Sequence, residues 1–284
     1  MPPIKNLTVL GTGVLGSQIA YQAAFHGFAV TAYDVDDDAV GKARGRFDRL
    51  AATYRAHVPG AAGGQAETAL GNLRLTADLG DAVADADLVI EAAPELLEIK
   101  RGLYRSLAGL APEKTIFATN SSTLLPSDLK ESTGRPDRFL ALHYANNIWA
   151  QNIAEVMGTA DTDPAVFDAV VGFARESGLE PVEIRKEKAG YVLNSLLVPL
   201  LNAAAGLLLQ GVADPQTIDK TWRIATGAPS GPFQIFDVVG LTTAYNISSS
   251  SPDAGSQAFA AYLKENYIDH GKLGVATGEG FYRY

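Results

Sequence analysis

The stretch TVLGTGVLGSQIA, from Thr8 to Ala20, decides the fold. It joins a short apolar, strand-like run to a helix-like segment through the spacing Gly-x-Gly-x-x-Gly, formed by Gly11, Gly13 and Gly16. The first glycine of such a motif permits a tight turn, the second lets backbone approach a pyrophosphate, and the third lets the helix pack closely on the strand. We therefore predict a dinucleotide-binding turn here.

The residues around this turn indicate which dinucleotide it binds. Val14 and Leu15 open the helix, whose N-terminus offers free N–H groups and a positive dipole end to phosphate. The next strand-like run, AVTAYD, ends in Asp34, eighteen residues after Gly16. A carboxylate there accepts hydrogen bonds from ribose hydroxyls. Because this carboxylate and the acidic residues 36–38 would repel a 2′-phosphate, we predict NAD(H) rather than NADP(H).

The rest of the chain continues the alternation that this stretch begins. Strand-like runs alternate with helical segments over the first two thirds: LTVLG, AVTAYD, LRLT, DLVIEAA, TIFATN, RFLALHY, AEVM and EPVEI. This pattern predicts an α/β fold with a Rossmann-type, doubly wound, mostly parallel sheet. After Lys188 the sequence becomes helical and apolar. We predict a first domain over residues 1–188 and an all-α domain over residues 189–284.

Composition limits the possible partners. The chain has 284 residues, 47% hydrophobic and 19% charged, with a net charge of −9 and no cysteine. This charge opposes binding to nucleic acid or anionic membranes, and the cysteine count excludes thiolate metal sites; no metal site is predicted. Since a strand pattern begins by Leu7, no signal peptide is expected ahead of it and a cytoplasmic location is predicted. The uncharged run over residues 189–213 is read as a buried helix rather than a membrane span.

Two residues stand out as candidates for proton transfer. His143 and Glu155 lie twelve residues apart in LHYANNIWAQNIAEVM, each at the edge of an apolar run. A nicotinamide enzyme needs a group that moves the substrate hydroxyl proton, and histidine suits this task near neutral pH when a carboxylate orients it. The spacing alone leaves two interpretations open: a catalytic pair, or two polar residues that end strands.

Several motifs together resemble one enzyme family. GTGVLGSQIA, DLVIEAAPELLEIK, TIFATNSSTL, RFLALHYAN, AEVM, AGYVLNSLLVPLLNAA and TGEGFYRY occur in the order and at the spacing of the 3-hydroxyacyl-CoA dehydrogenase family, across nearly the whole chain. The resemblance implies NAD-dependent oxidation of an L-3-hydroxyacyl thioester, such as 3-hydroxybutyryl-CoA, to the 3-ketoacyl form. It also implies a place in fatty acid metabolism and a homodimer formed largely by the helical domain.

The resemblance also assigns residues. It implies that His143 is the base, Glu155 its partner, and Ser122 and Asn194 the residues that hold the substrate oxygen. Asn146 matches an asparagine that hydrogen-bonds in the substrate loop. The cofactor contacts that it implies, beyond the glycine turn and Asp34, are Glu95, Lys100 and Asn120.

Departures from the family cluster on the substrate side. Where the family has proline after Asn146, this chain has Asn147; Asn152 replaces a lysine and Ser195 an arginine. No lysine occurs between Lys42 and Lys100, and the region carries arginines instead, among them Arg44, Arg46, Arg49 and Arg55. Three alternatives to an acyl-CoA substrate therefore stand: a small free 3-hydroxy acid, a related hydroxy or imine-forming amino compound, and an NADH-binding structural protein without turnover.

Overall fold

The computed structural model describes residues 3–284 and divides into two compact units, Met1–Val192 and Leu193–Tyr284. The first unit extends four residues beyond the predicted boundary at Lys188. Backbone hydrogen bonds explain the difference. The Gly190 N–H donates to the Ser122 carbonyl at 3.2 Å, and the Val192 N–H donates to Glu155 Oε1 at 2.9 Å. These bonds tie the segment to the first unit.

The first unit is built on one sheet, in which all the predicted strand-like runs form strands. The strands are β1 Asn6–Leu10, β2 Ala29–Tyr33, β3 Leu73–Thr76, β4 Leu88–Glu91, β5 Ile116–Thr119, β6 Phe139–Tyr144, β7 Ile153–Gly158 and β8 Glu180–Ile184. Their order is β3-β2-β1-β4-β5-β6-β7-β8. Strands β1 to β6 are parallel, whereas β7 pairs antiparallel with β6 and parallel with β8. The predicted doubly wound, mostly parallel sheet is confirmed.

Helices cover both faces of this sheet. They are α1 Val14–Phe25, α2 Asp37–His57, α3 Gln65–Gly71, α4 Leu79–Val83, α5 Leu97–Leu110 and α6 Pro164–Glu176. One apolar cluster joins α1, α2, α3 and α6 to one face, and a second joins α4 and α5 to the other. Successive residues of β4 alternate between them: Leu88 and Ile90 belong to the first cluster and Val89 to the second. Burial on both faces explains why the central strands are apolar throughout.

The glycine-rich turn between β1 and α1 has no room for larger residues at two positions. Gly11 has φ +94°, and a Cβ there would lie 2.7 Å from the Ala92 carbonyl oxygen. At Gly16 a Cβ would lie 1.9 Å from the Gly11 carbonyl oxygen. At Gly13, by contrast, a Cβ would meet nothing within 4 Å. The turn therefore needs the first and third glycines for its own packing, and leaves the second facing open space.

The second unit is a small helical domain. Its helices are α7 Leu193–Leu209, α8 Pro215–Thr226, α9 Pro232–Val239, α10 Leu241–Ser249 and α11 Ala254–Asn266. Its core is aromatic, with Phe233, Phe236, Phe259 and Phe281 in one cluster. Most of the uncharged run forms α7, but only Leu201, Ala204 and Ala205 of this helix are buried, so the expectation of a buried helix is wrong for the single chain. Within residues 3–284, no helix is both long enough and apolar enough to cross a membrane.

Two buried carboxylates fasten the C-terminal segment in this unit. Asp237 accepts hydrogen bonds at 2.9 Å from the N–H groups of Phe281 and Tyr282, and Asp219 accepts one at 2.9 Å from the Tyr282 hydroxyl. Burial, partly offset by these N–H donors, raises the pKa of Asp237 above its usual value. Neither aspartate stands out in the sequence, because isolated acidic residues in helices ordinarily face solvent.

Replacing Gly16 with alanine should destabilise the first unit, since the added methyl group meets backbone that a rotamer change cannot move. We expect a loss of about 3 kcal/mol or more in the free energy of unfolding, measured by urea denaturation. Gly13→Ala is the matched control, because its methyl group has open space around it. Equal stability of the two variants would contradict the packing role of Gly16.

Candidate active site

The antiparallel pairing of β6 and β7 brings His143 and Glu155 together. The two residues lie directly opposite each other in the register of the strands, so their side chains lie on the same face of the sheet. Their side chains are 5% and 1% exposed. His143 Nδ1 lies 2.9 Å from Glu155 Oε2. The structure therefore pairs the two side chains, and a catalytic role for the pair stays a prediction.

Ser122 extends this pair to a chain of three side chains. Its Oγ lies 3.2 Å from His143 Nε2. An ionised carboxylate only accepts hydrogen bonds, so Nδ1 carries the proton donated to Glu155 and Nε2 presents its lone pair toward Ser122. The other oxygen of Glu155 accepts the Val192 N–H. In this state Nε2 is a proton acceptor, held in place from behind by a buried carboxylate.

Glu95 holds the loop that carries Ser122. Its Oε1 accepts hydrogen bonds from the Ser121 hydroxyl at 2.5 Å, from the Ser122 N–H at 3.0 Å, and from the N–H and hydroxyl of Thr123 at 2.9 Å each. Burial alone would raise the pKa of Glu95, but the Ser121 and Thr123 donors and the Lys100 charge outweigh it and lower that pKa. Glu95 is thus an anion that fixes the shape of residues 121–123.

Lys100 lies beneath this loop and is fully buried. Its ammonium group lies 2.5 Å from Glu91 Oε1, 3.2 Å from the Ala93 carbonyl and 3.3 Å from Glu95 Oε2. Hydrogen bonds to Glu91 and Ala93 use two of the three N–H donors of the ammonium, and Glu95 lies within ion-pair distance. Glu91 is itself completely buried and also accepts the Thr119 hydroxyl at 2.7 Å. The contacts of Lys100 described here are internal; the cofactor contact expected of it stays a prediction.

The loop after His143 has a backbone conformation that the family proline would not allow. Asn147 has φ +60°, whereas proline is restricted to about −65°. Its N–H donates to the side-chain oxygen of Gln18 at 2.8 Å, and the Ile148 N–H donates to the same oxygen at 3.3 Å. Gln18 is a buried residue of α1. No local pattern in the sequence marks Gln18, because its partners in the loop after His143 are distant in sequence.

The remaining predicted site residues take different places. Asn120 follows β5, and its side-chain oxygen accepts the Tyr144 N–H at 3.0 Å, which holds the end of β6. Asn146 is exposed in the loop after β6. Asn194 lies in the first turn of α7 in the helical unit, where it is half-buried. Trp149 packs on Tyr54 in the core, at 6.1 Å between ring centroids.

The carboxyl ends of β1 and β2 form a surface that suits a dinucleotide. No side chain among residues 3–284 caps α1, so its first N–H groups are available to a phosphate beside Gly13. Asp34 directly follows β2 and accepts the Thr12 N–H at 2.9 Å and the Thr12 hydroxyl. Burial would raise the pKa of Asp34, but hydrogen bonds from Thr12 and Val35 and the charge of Arg46 lower it. The resulting anion fits a ribose partner.

The arginines of α2 provide limited positive charge nearby. Arg55 is paired with Glu67, and Lys42 with Asp38. Arg44 and Arg49 are exposed on α2, and Arg46 is half-buried. Any contact of these side chains with a phosphate-bearing substrate stays a prediction.

Comparison with known proteins agrees with this geometry. Residues 6–188 match the 3-hydroxyacyl-CoA dehydrogenase NAD binding domain, and residues 190–284 match the C-terminal domain of the same family. The mitochondrial hydroxyacyl-coenzyme A dehydrogenase of Rattus norvegicus is 35% identical over 99% of this chain and 91% of its own length.

Two further relatives have names that do not mention coenzyme A. A solved structure described as a diketoreductase with substrate-directed dual catalysis of dicarbonyl compounds is 68% identical, with a TM-score of 0.95 and complete coverage of both chains. The 5-formyl-3-hydroxy-2-methylpyridine 4-carboxylate 5-dehydrogenase of Mesorhizobium japonicum is 33% identical over 99% of this chain and 91% of its own length. With both domains matched and NAD as cofactor, the chain belongs to the 3-hydroxyacyl-CoA dehydrogenase family of NAD-dependent oxidoreductases.

Proposed function

We propose that the protein interconverts a 3-hydroxy compound and the corresponding ketone, with His143 as the acid–base group. The observation that carries this proposal is the continuous chain from Ser122 through His143 to Glu155. A hydride transfer to or from carbon leaves one proton to be moved on the neighbouring oxygen. The unprotonated Nε2 of His143, beside a hydroxyl that can bind the same oxygen, supplies the required acceptor.

In the oxidation direction, His143 Nε2 takes the proton of the substrate hydroxyl while Ser122 Oγ donates a hydrogen bond to the substrate oxygen. Glu155 keeps Nδ1 protonated and stabilises the imidazolium that forms. Bound NAD supplies the acceptor for the hydride. In the reduction direction the imidazolium returns its proton to the oxygen of the ketone. Asn194 is proposed as a second donor to this oxygen, as the family pattern implies.

The proposed cofactor contacts follow the geometry of the turn. We propose that Gly11, Gly13, Val14, Leu15 and Gly16 form the pyrophosphate surface and that Asp34 binds ribose. Glu95, Lys100 and Asn120 are proposed to lie under the nicotinamide side. For Glu95 and Lys100 this role would operate through the loop that they hold, since their described contacts are with protein groups.

For the substrate we propose a small compound with a ketone near a second carbonyl group, free of coenzyme A. The 68% identity with a structure described for dicarbonyl compounds supports this choice over the acyl-CoA relatives near 35%. The loop after His143 also supports a substrate without coenzyme A. This loop departs from the family pattern at Asn147, whereas His143 and Glu155 match the pattern. A 3-ketoacyl thioester contains the same pair of carbonyl groups, so the dyad can serve both classes.

A short-chain 3-hydroxyacyl-CoA is the second candidate, and the family match favours it. Recognition of coenzyme A would require cationic donors for its phosphates. The exposed Arg44 and Arg49 of α2 are the groups that we propose for this task. Because His143 and Glu155 can serve both substrate classes, the choice between the classes depends on other residues.

We further propose that the protein is a homodimer through its helical unit. Large apolar side chains are exposed on α7 and α8, among them Leu196 at 70% and Ile224 at 74%. Exposed apolar side chains grouped on two helices indicate an interface with another chain. A second copy is the occupant implied by the family resemblance, and such interfaces are commonly twofold symmetric.

Replacing His143 with alanine should lower kcat by a factor of about 100 or more, because no other group then takes the hydroxyl proton. Steady-state assays of NADH formation measure this effect, and fluorescence titration should show NADH affinity within about twofold of the parent value. Glu155→Gln should give a smaller loss, since the imidazole keeps a hydrogen-bonding partner. Full turnover of the alanine variant would contradict the assignment of the base.

The substrate class is tested by comparing acetoacetyl-CoA with free β-dicarbonyl compounds, including acetoacetate, in the NADH oxidation assay. We expect a higher kcat/KM for at least one free dicarbonyl. Arg44→Ala with Arg49→Ala should leave that value unchanged within about twofold, as the arginines would serve coenzyme A only. Turnover confined to the thioester, and weakened by the arginine changes, would instead establish the second candidate.

Size-exclusion chromatography with light scattering should show a dimer at micromolar concentration. Ile224→Glu should shift the equilibrium toward monomer, because the charge would be desolvated at the proposed interface. Val275→Glu, at an exposed apolar position outside α7 and α8, is the control. A monomeric parent protein would contradict the proposed dimer.

A further inference from the structure

The segment Gly190–Val192 contacts every member of the proposed catalytic chain. Gly190 bonds to Ser122, Val192 bonds to Glu155, and the ring of Tyr191 lies on the ring of His143. We propose that Tyr191 is a positioning residue, whose ring fixes the plane of the His143 imidazole so that Nε2 faces the substrate oxygen. This inference rests on the proposed role of His143 as the base.

The contact with the Tyr191 ring restricts a rotation of the His143 imidazole that its hydrogen bond to Glu155 permits. The centroids of the two rings are 4.4 Å apart and their planes differ by 12°. A single hydrogen bond at Nδ1 permits the imidazole to swing about that bond, which displaces Nε2 at the far side of the ring. A parallel aromatic face in contact prevents this swing. Since Tyr191 is only 1% exposed, its own ring has little freedom to move aside.

The hydroxyl of Tyr191 connects this ring to the loop of residues 121–123, which carries Ser122. It donates a hydrogen bond to the Ser121 carbonyl at 2.8 Å. Burial first, and then the carboxylates of Glu95, Glu155 and Glu91, raise the pKa of the Tyr191 hydroxyl, so it remains a donor. The same side chain therefore sets the distance between the loop that presents Ser122 and the plane of His143.

The backbone of Tyr191 carries a sign of functional constraint. Its φ is +52°, in the left-handed region that residues other than glycine, asparagine and aspartate seldom adopt. Such a conformation persists where surrounding contacts impose it, and here they come from Ser122 and Glu155 on either side. The unfavourable φ is the geometry that places the ring over His143 while both neighbouring N–H groups are bonded.

The aromatic face also matches the charge that develops during the reaction. When His143 takes a proton it becomes a cation that lies against the negative face of the Tyr191 ring, and such contacts are attractive. The effect acts only after proton transfer begins. It should therefore appear in kcat rather than in binding of NADH.

The test compares two replacements of Tyr191. Tyr191→Phe keeps the ring and should retain kcat within about threefold, having lost one hydrogen bond. Tyr191→Leu removes the aromatic face but meets the same backbone strain, and should lower kcat about tenfold or more with NADH affinity unchanged. Phe28→Leu, in an aromatic core pair with Phe173, is the control for loss of a buried ring and should leave kcat unchanged.

A double-mutant cycle separates positioning from general stability. In a His143→Ala background, Tyr191→Leu should change the residual rate by less than about twofold, because the group that it positions is gone. An equal loss in both backgrounds, a Phe variant as impaired as the Leu variant, or a Leu variant as active as the parent would each overturn the inference. Tyr191→Met serves the same comparison if the Leu variant does not fold.

The two proposals fail in different ways. Full activity of His143→Ala alone would refute the base assignment and with it the positioning role. Loss of activity in His143→Ala together with a normal Tyr191→Leu would refute only the positioning role.

Discussion

The reversal of strand direction at β7 is the constraint on which the site depends. In a wholly parallel sheet, the residue beside His143 would belong to a strand that arrives by a long crossover. Here the chain reverses direction through residues 145–152, and antiparallel pairing places Glu155 directly opposite His143. Hydrogen bonds between the strands thus fix the backbone of Glu155, and its carboxylate is held by His143 Nδ1 and the Val192 N–H. Burial of both groups makes their mutual bond strong and its loss expensive.

Around this pair, the groups proposed for catalysis are held by polar contacts with buried or hydrogen-bonded residues. Glu95 binds the serine loop through four donors, and Lys100 joins it to the buried Glu91. A buried ion pair is seldom a source of stability. The Lys100–Glu91 pair lies at the end of β4, below the loop that carries Ser122, and it supports that loop rigidly.

The sequence predicted the sheet, its helices and the dinucleotide turn because these follow from local patterns. Alternating apolar runs and the three glycines require no knowledge of distant contacts. His143 and Glu155 were recognised as candidates, but their pairing depended on strand direction, which spacing does not encode. Tyr191 and Gln18 were missed for a related reason: each makes its contact with a residue far away in sequence, and no local pattern marks it.

The residues around His143 are held by more contacts than the loop over residues 145–152. This difference can explain how the substrate changes among members of one family. The His143–Glu155 pair and residues 121–123 are contacted from several sides. Most substitutions there would therefore disturb the geometry of the proposed proton transfer. The loop over residues 145–152 is tied to α1 by one side chain, Gln18, which accepts two of its N–H groups. Ile148 and Trp149 also anchor this loop in the core, but Asn146 and Ala150 are exposed, so side chains at those positions can change at small cost in stability. Substrate preference can thus diverge while His143, Glu155 and Ser122 remain in place.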